Sequence, residues 1–185
     1  DRMSNKILFF KLLVACLVLL FVSCARPEAE VLELLLSSHE LYRKGNTLEA
    51  IDFLNNEIRQ SERDFRFYHL RGLFYGSIEP VIFARRAINE FRRSLHLNPK
   101  NFEVLSLMAG ELQVLERYQE SIPYLERAVE LFDPSSDAPD PYILLARAYC
   151  EIGNYDIALE WIEKAIGHDP DDPDNYLEKG YILSK

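Results

Sequence analysis

The sequence predicts an all-α fold: a right-handed solenoid of antiparallel helix pairs, with about four repeats and a carboxy-terminal capping helix. Three observations carry this. Pro139 to Pro170 reads as two short amphipathic helices, apolar or aromatic at Tyr142, Leu145, Tyr149, Tyr155, Ile162 and Ile166. Ala146, Ala158 and Ala165 stand at the crossing points, where small side chains let helix backbones approach without overpacking. Degraded copies of the segment recur about every 34 residues back to Val31. Gly153-Asn154 separates the two helices and Pro170 ends the second, because Gly accepts the left-handed C-cap conformation and Pro cannot continue a helix.

From the amino terminus, Arg2, Lys6 and Lys11 precede the apolar run Leu12 to Val22, followed by Ser23 and Cys24. A charged region, a short apolar run and a small residue before a cleavage point assign residues 1–23 to a signal peptide. The run is too short to cross a bilayer core of roughly 30 Å. Cys24 directly after Ser23 resembles the lipobox of bacterial lipoproteins, with Phe21 where Leu is usual. The resemblance implies a diacylglycerol on Cys24, a short tether over 24–30, and, with Ala25 rather than Asp next in line, anchorage in the outer membrane facing the periplasm. The alternative is an inner-membrane signal anchor over Ile7 to Val22, interrupted by Lys11, with Lys6 and Arg2 on the cytoplasmic side. Both place Val31 to Lys185 outside the cytoplasmic membrane.

Four repeats and a half repeat fill residues 31–185. The first, 31–64, has Gly45-Asn46 at its turn, then Ala50, Ile51 and Leu54. The second, 65–101, has Tyr68, Gly72, Tyr75, Ala87, Phe91, Ser94 and Asn98-Pro99, with extra residues expected in the inter-helix turn at Ser77 to Pro80. The third, 102–138, has Leu105, Met108, Ala109, Leu112, Tyr118, Ser121, Leu125 and Ala128, and a long exit loop at 133–138. The fourth, 139–172, is the clearest. In 173–185, Tyr176, Gly180 and Leu183 are expected to shield the apolar edge of the last pair. The pattern resembles the tetratricopeptide repeat family, in which an aromatic, Leu-Gly, Tyr, then Ala, Phe, Ala and Pro stand at fixed offsets. The resemblance covers Val31 to the end and is weakest in the first copy, where Ser37-Ser38 replaces Leu-Gly and Glu57 replaces Ala.

Of three cysteines, Cys16 lies in the signal and Cys24 at the lipidation point, which leaves Cys150 alone and without a disulfide partner in the mature domain. The net charge of −9 is uneven: residues 24–100 hold 12 Lys/Arg against 11 Asp/Glu, and residues 101–185 hold six against 18. An anionic membrane surface would repel the acidic half; acidic residues that merely solvate a convex face account for it equally. Against that trend, Arg85, Arg86, Arg92 and Arg93 form a basic cluster on the second helix of the second repeat. It reads either as a contact for a headgroup or acidic partner, or as a solvated convex face balanced by Glu90.

No catalytic motif is present: no P-loop, no Gly-x-Ser-x-Gly, no His-Glu-x-x-His and no Cys-x-x-Cys. His39, His69, His96 and His168 are scattered, and the acidic turn Asp169 to Asp174 lacks the Gly and closing Glu of an EF-hand. The sequence therefore points to a non-enzymatic protein with no cofactor, no metal, no nucleic-acid partner and no small-molecule substrate. Solenoids of this kind bind partners on the concave face lined by the first helix of each pair. Positions 5, 9 and 12 or 13 of each copy are expected there: Leu35, His39, Tyr42 and Arg43; His69 and Leu73; Ser106, Gly110 and Gln113; Ile143, Arg147 and Cys150; Leu177 and Tyr181. The family's Lys and Asn clamp for a peptide carboxylate is missing. His39, Arg43, His69 and Arg147 among apolar side chains suit an extended or helical peptide with apolar anchors and some negative charge. The function expected is a membrane-anchored scaffold or adaptor for a protein or peptide partner. The alternative is an architectural protein that self-associates through convex or terminal surfaces.

Overall fold

The computed structural model describes residues 27–60, 64–132 and 139–185; the expected signal peptide, Cys24 and the exit loop expected at 133–138 lie outside them. Among the described residues are nine helices and no strand: α1 Glu28–Arg43, α2 Thr47–Gln60, α3 Phe65–Ile78, α4 Pro80–Leu97, α5 Phe102–Val114, α6 Tyr118–Val129, α7 Pro141–Glu151, α8 Tyr155–His168 and α9 Pro173–Leu183. Each first helix after α1 is N-capped by an acidic or amide side chain. Asp64, Asn101, Asp140 and Asp172 accept from the backbone N–H of Arg66, Val104, Tyr142 and Asp174 at 2.7–3.1 Å, and so satisfy donors that a helix start leaves orphaned.

The small residues stand at the crossings. Ser38, Ala109 and Ala146 in the first helices are wholly buried, as are Ala50, Ala87, Ser121 and Ala158 in the second helices. Gly72 completes the first set: a Cβ there would lie 2.5 Å from Cε1 of Phe91, so the ring occupies the space that a side chain would need. Gly45 and Gly153 adopt φ of 84° at the inter-helix turns. In the third repeat Glu116 holds the corresponding place at φ 57°, a conformation unfavourable to a residue with a Cβ.

Four apolar clusters in series replace a single core, each shared by neighbouring units. Val31, Leu54, Phe67 and Phe74 centre the first; Phe91, Leu105, Met108 and Leu112 the second; Leu125, Leu144 and Leu145 the third; Ala158, Ile162 and Ile182 the fourth. Every first helix touches the next first helix, whereas no second helix reaches the next second helix. The first helices are thus the tighter, inner row of the stack.

Two expectations are corrected. The extra residues at Ser77 to Pro80 form no loop: α3 runs to Ile78, only Glu79 intervenes, and α4 begins at Pro80, which is suited to a helix's first position. The insertion lengthens α4 to 18 residues. On α9 the packing side is not Tyr176, Gly180 and Leu183, which are exposed, but Asn175, Glu178 and Ile182. Asn175 donates to the Asp169 carbonyl, and Ile182 joins the fourth cluster.

Candidate functional site

On the inner row, α1, α3 and α5 enclose an open cavity of about 330 Å³. Helical spacing builds it: His39 and Tyr42 on α1, Leu70, Leu73, Phe74 and Ser77 on α3, and Leu107 and Glu111 on α5 project at three- and four-residue intervals toward one space. Phe91 of α4 closes the floor. Tyr42 stacks on Phe74 with centroids 4.7 Å apart, which fixes one wall.

The sequence-predicted residues separate into several groups. His39 and Leu73 line the cavity. Gly110 sits on the same face of α5 as Leu107 and Glu111, with open space where its Cβ would be. Arg43 is exposed in the last turn of α1, and Leu35 packs at the edge of the first cluster. Ile143 is half-buried between the third and fourth clusters, and Leu177 is exposed.

The remaining predicted residues are engaged within the protein. His69 packs edge-on to Phe91 at 6.4 Å, and its Nε2 has no hydrogen-bond partner among the described residues. Burial pulls the His69 pKa below the usual histidine value, against an opposing pull from Glu103, so the ring is neutral at pH 7. Ser106 and Cys150 are buried. Gln113 is also buried and donates from Nε2 to the Leu144 carbonyl (2.8 Å), which ties α5 to α7. Arg147 donates through Nε (3.1 Å) and Nη2 (2.7 Å) to Oε2 of Glu178 on α9, and Tyr181 donates to Oε1 of Glu151 (2.7 Å). In α3 and α5, position 5 of the copy turns into its own helix pair, while position 6, held by Leu70 and Leu107, faces the cavity.

Sequence reasoning missed Glu111, whose signal was a carboxylate near the middle of the mostly apolar helix Phe102–Val114, beyond the first turn where Glu103 stands. Burial pushes its pKa above the usual glutamate value. Its Oε2 is enclosed and has no hydrogen-bond partner among the described residues, while Oε1 lies where a Cβ on residue 76 would be. Gly76 is what gives the carboxylate its room.

Arg85, Arg86, Arg92 and Arg93 are exposed on α4. The Arg86 guanidinium stands 5.3 Å from the Phe83 ring centroid and 5.7 Å from that of Tyr75; Arg93 stands 5.9 Å from that of Tyr68. Glu90 balances one of the four: its Oε1 stands 4.0 Å from Nη1 of Arg93. It is buried, and its Oε2 accepts from Nε (3.0 Å) and Nη2 (2.5 Å) of Arg71, whose Nη1 donates to Asn55 (2.6 Å). Among the described residues no group of three or more His, Cys, Asp or Glu side chains is placed to hold a metal, and no helix is long and apolar enough to cross a membrane.

Serial clusters, a tight inner row of first helices and a cavity opening on that row define a helical-repeat scaffold. Residues 102–170 match the tetratricopeptide repeat family model. That match supports the family by sequence over this segment, and beyond it the likeness to solved structures is one of fold. The fold is similar to that of MamA from Desulfovibrio magneticus (23% identity, 85% of each chain covered, TM-score 0.73). It is also similar to YrrB, described as a tetratricopeptide repeat protein with an unusual peptide-binding site (20% identity, 82% of this chain and 75% of YrrB, TM-score 0.70). A third likeness is to pilF of Pseudomonas aeruginosa (19% identity, 82% and 67% covered, TM-score 0.67). No curated protein sequence matches the chain.

Proposed function

We propose that this protein is a membrane-anchored, non-catalytic scaffold of the bacterial cell envelope that holds a peptide segment of a partner protein on its inner row of first helices. The observation that carries the reading is the cavity between α1, α3 and α5, whose walls are largely apolar and aromatic and whose position is the ligand face of such solenoids. The peptide-binding site of YrrB supports it by analogy of fold. The anchor is a lipid on Cys24. Only Ala25, Arg26 and Pro27 precede α1, a reach of about 10 Å at full extension, so the first repeat would stand against the bilayer with the cavity close above it.

Gly110→Trp tests the groove without touching the core, because it fills open space beside the cavity. Full-length protein, wild type and variant, is used as bait in envelope extract, with captured proteins identified by mass spectrometry and folding checked by circular dichroism. A partner captured by wild type and lost with Gly110→Trp supports the adaptor. Equal capture by both moves the function to convex or terminal surfaces. Cys24→Ala, followed by membrane fractionation, tests the anchor: release from the membrane fraction is expected, and unchanged sedimentation contradicts lipidation.

A further inference from the structure

We propose that the cavity between α1, α3 and α5 receives a Lys or Arg side chain of the bound segment, with its aliphatic stem against Leu70, Leu73 and Phe74 and its charge on the Glu111 carboxylate. This rests on the peptide-groove reading above and reverses the ligand charge expected from the sequence.

Of the four basic groups that favoured an acidic ligand, two are withdrawn from the groove, while Arg43 is exposed at the end of α1 and His39 lines the cavity. Arg147 is committed to Glu178, and His69 is packed against Phe91 and neutral. Among the described residues, the cavity group with an enclosed, unpartnered polar atom is Glu111. A carboxylate with an enclosed, unpartnered oxygen is costly to the free protein, and an incoming ammonium or guanidinium turns that cost into a charge-assisted hydrogen bond. The rest of the cavity suits the same side chain. Long basic residues lay a methylene stem along apolar surface and keep the charge at the tip, and the Tyr42–Phe74 stack offers an aromatic wall to a cation. Gly76 is part of the site, because any side chain there would displace the Glu111 carboxylate. At longer range the excess of acidic residues over 101–185 gives α5 and the helices beyond it a negative field that draws a basic segment inward.

The test is selection of a random peptide phage library on immobilised full-length protein, followed by affinity measurement of synthetic peptides by fluorescence anisotropy. Gly110→Trp identifies the groove-dependent peptides. Each Lys or Arg in them is then replaced by norleucine, and binding is measured to wild type and to Glu111→Gln, which keeps the shape of the side chain. The expected result is one basic position whose replacement weakens wild-type binding about tenfold, with the effect reduced to less than about twofold in Glu111→Gln. Groove-dependent peptides that need no basic residue, or an equal norleucine effect in both proteins, overturn the inference and leave the groove reading standing. Enriched peptides that bind Gly110→Trp unchanged, or no enrichment at all, overturn both.

Discussion

The two ends of the stack join their helices by different means. Between the first and second repeats the junction is polar and bulky: Asn55, Arg71 and Glu90 form a buried node across α2, α3 and α4, and Arg66 bridges Asp64 to Glu28 at the start of α1. Phe67, Phe74 and Phe91 fill the space around it. Around α7 and α8 the crossings are instead made by Ala146, Ala148, Ala158 and Ala165, all wholly buried. The family model matches the small-residue end, and the polar node lies outside the match. Apolar contact between small residues can be repeated at any junction, whereas a charged node works only where its three partners coincide.

The largest expected effect breaks that node. Arg71→Ala leaves Glu90 buried without its hydrogen-bonded partner, with only Arg93 at 4.0 Å, and should cost about 3–5 kcal/mol in urea unfolding. The joint replacement Arg71→Met with Glu90→Leu should recover most of the loss, because no charge is then stranded. Next is the contact that makes the bulky junction possible: Gly72→Ala forces a Cβ into the Phe91 ring and should cost about 1–3 kcal/mol, relieved by Phe91→Leu. In the third repeat Glu116→Gly should stabilise by about 1 kcal/mol, as it removes the strained left-handed residue; thermal unfolding reads this directly.

The smallest effect compares two capping aspartates. Burial opposes ionisation of Asp64, but hydrogen bonds from the Arg66 side chain and backbone outweigh it and hold the carboxyl below its usual range. Its contribution is therefore present above the ordinary aspartate pKa and is lost as pH falls through the lower folded value. At Asp140 burial wins over the backbone donors of Tyr142 and Ile143 and raises the carboxyl, so its contribution grows as pH falls through the raised value toward the unfolded one. Asp64→Asn should cost about 0.5 kcal/mol at neutral pH and nothing in strong acid. Carboxyl titration by NMR should place Asp140 above Asp64.

Much of the fold was legible because it depends on local spacing. Gly45 and Gly153, the helix-start caps and the buried series Ser38, Gly72, Ala109 and Ala146 recur at the same place in their copies, the series at spacings of 34, 37 and 37 residues. What the frame missed depends on phase or on distant partners. The period fixes where helices cross but not how an insertion is absorbed, so the residues around Ser77 to Pro80 read as loop although all but Glu79 are helix. An error of one position in phase rotates a residue by about 100°, enough to exchange His69 for Leu70 in the cavity and Tyr176 for Asn175 in the packing of α9. The pairing of Arg147 with Glu178 spans 31 positions and two helices, and no local pattern announces it.

The most direct test of the central claim is site-specific photocrosslinking of the full-length protein in its native cells, with benzoylphenylalanine at Gly110 on the inner row and, separately, at Asn89 on α4. The account predicts a discrete adduct with a partner protein from position 110, suppressed by excess of a groove-binding peptide, and none that is suppressed from position 89. An adduct from position 89 alone, or one that contains only a second copy of this chain, would contradict it.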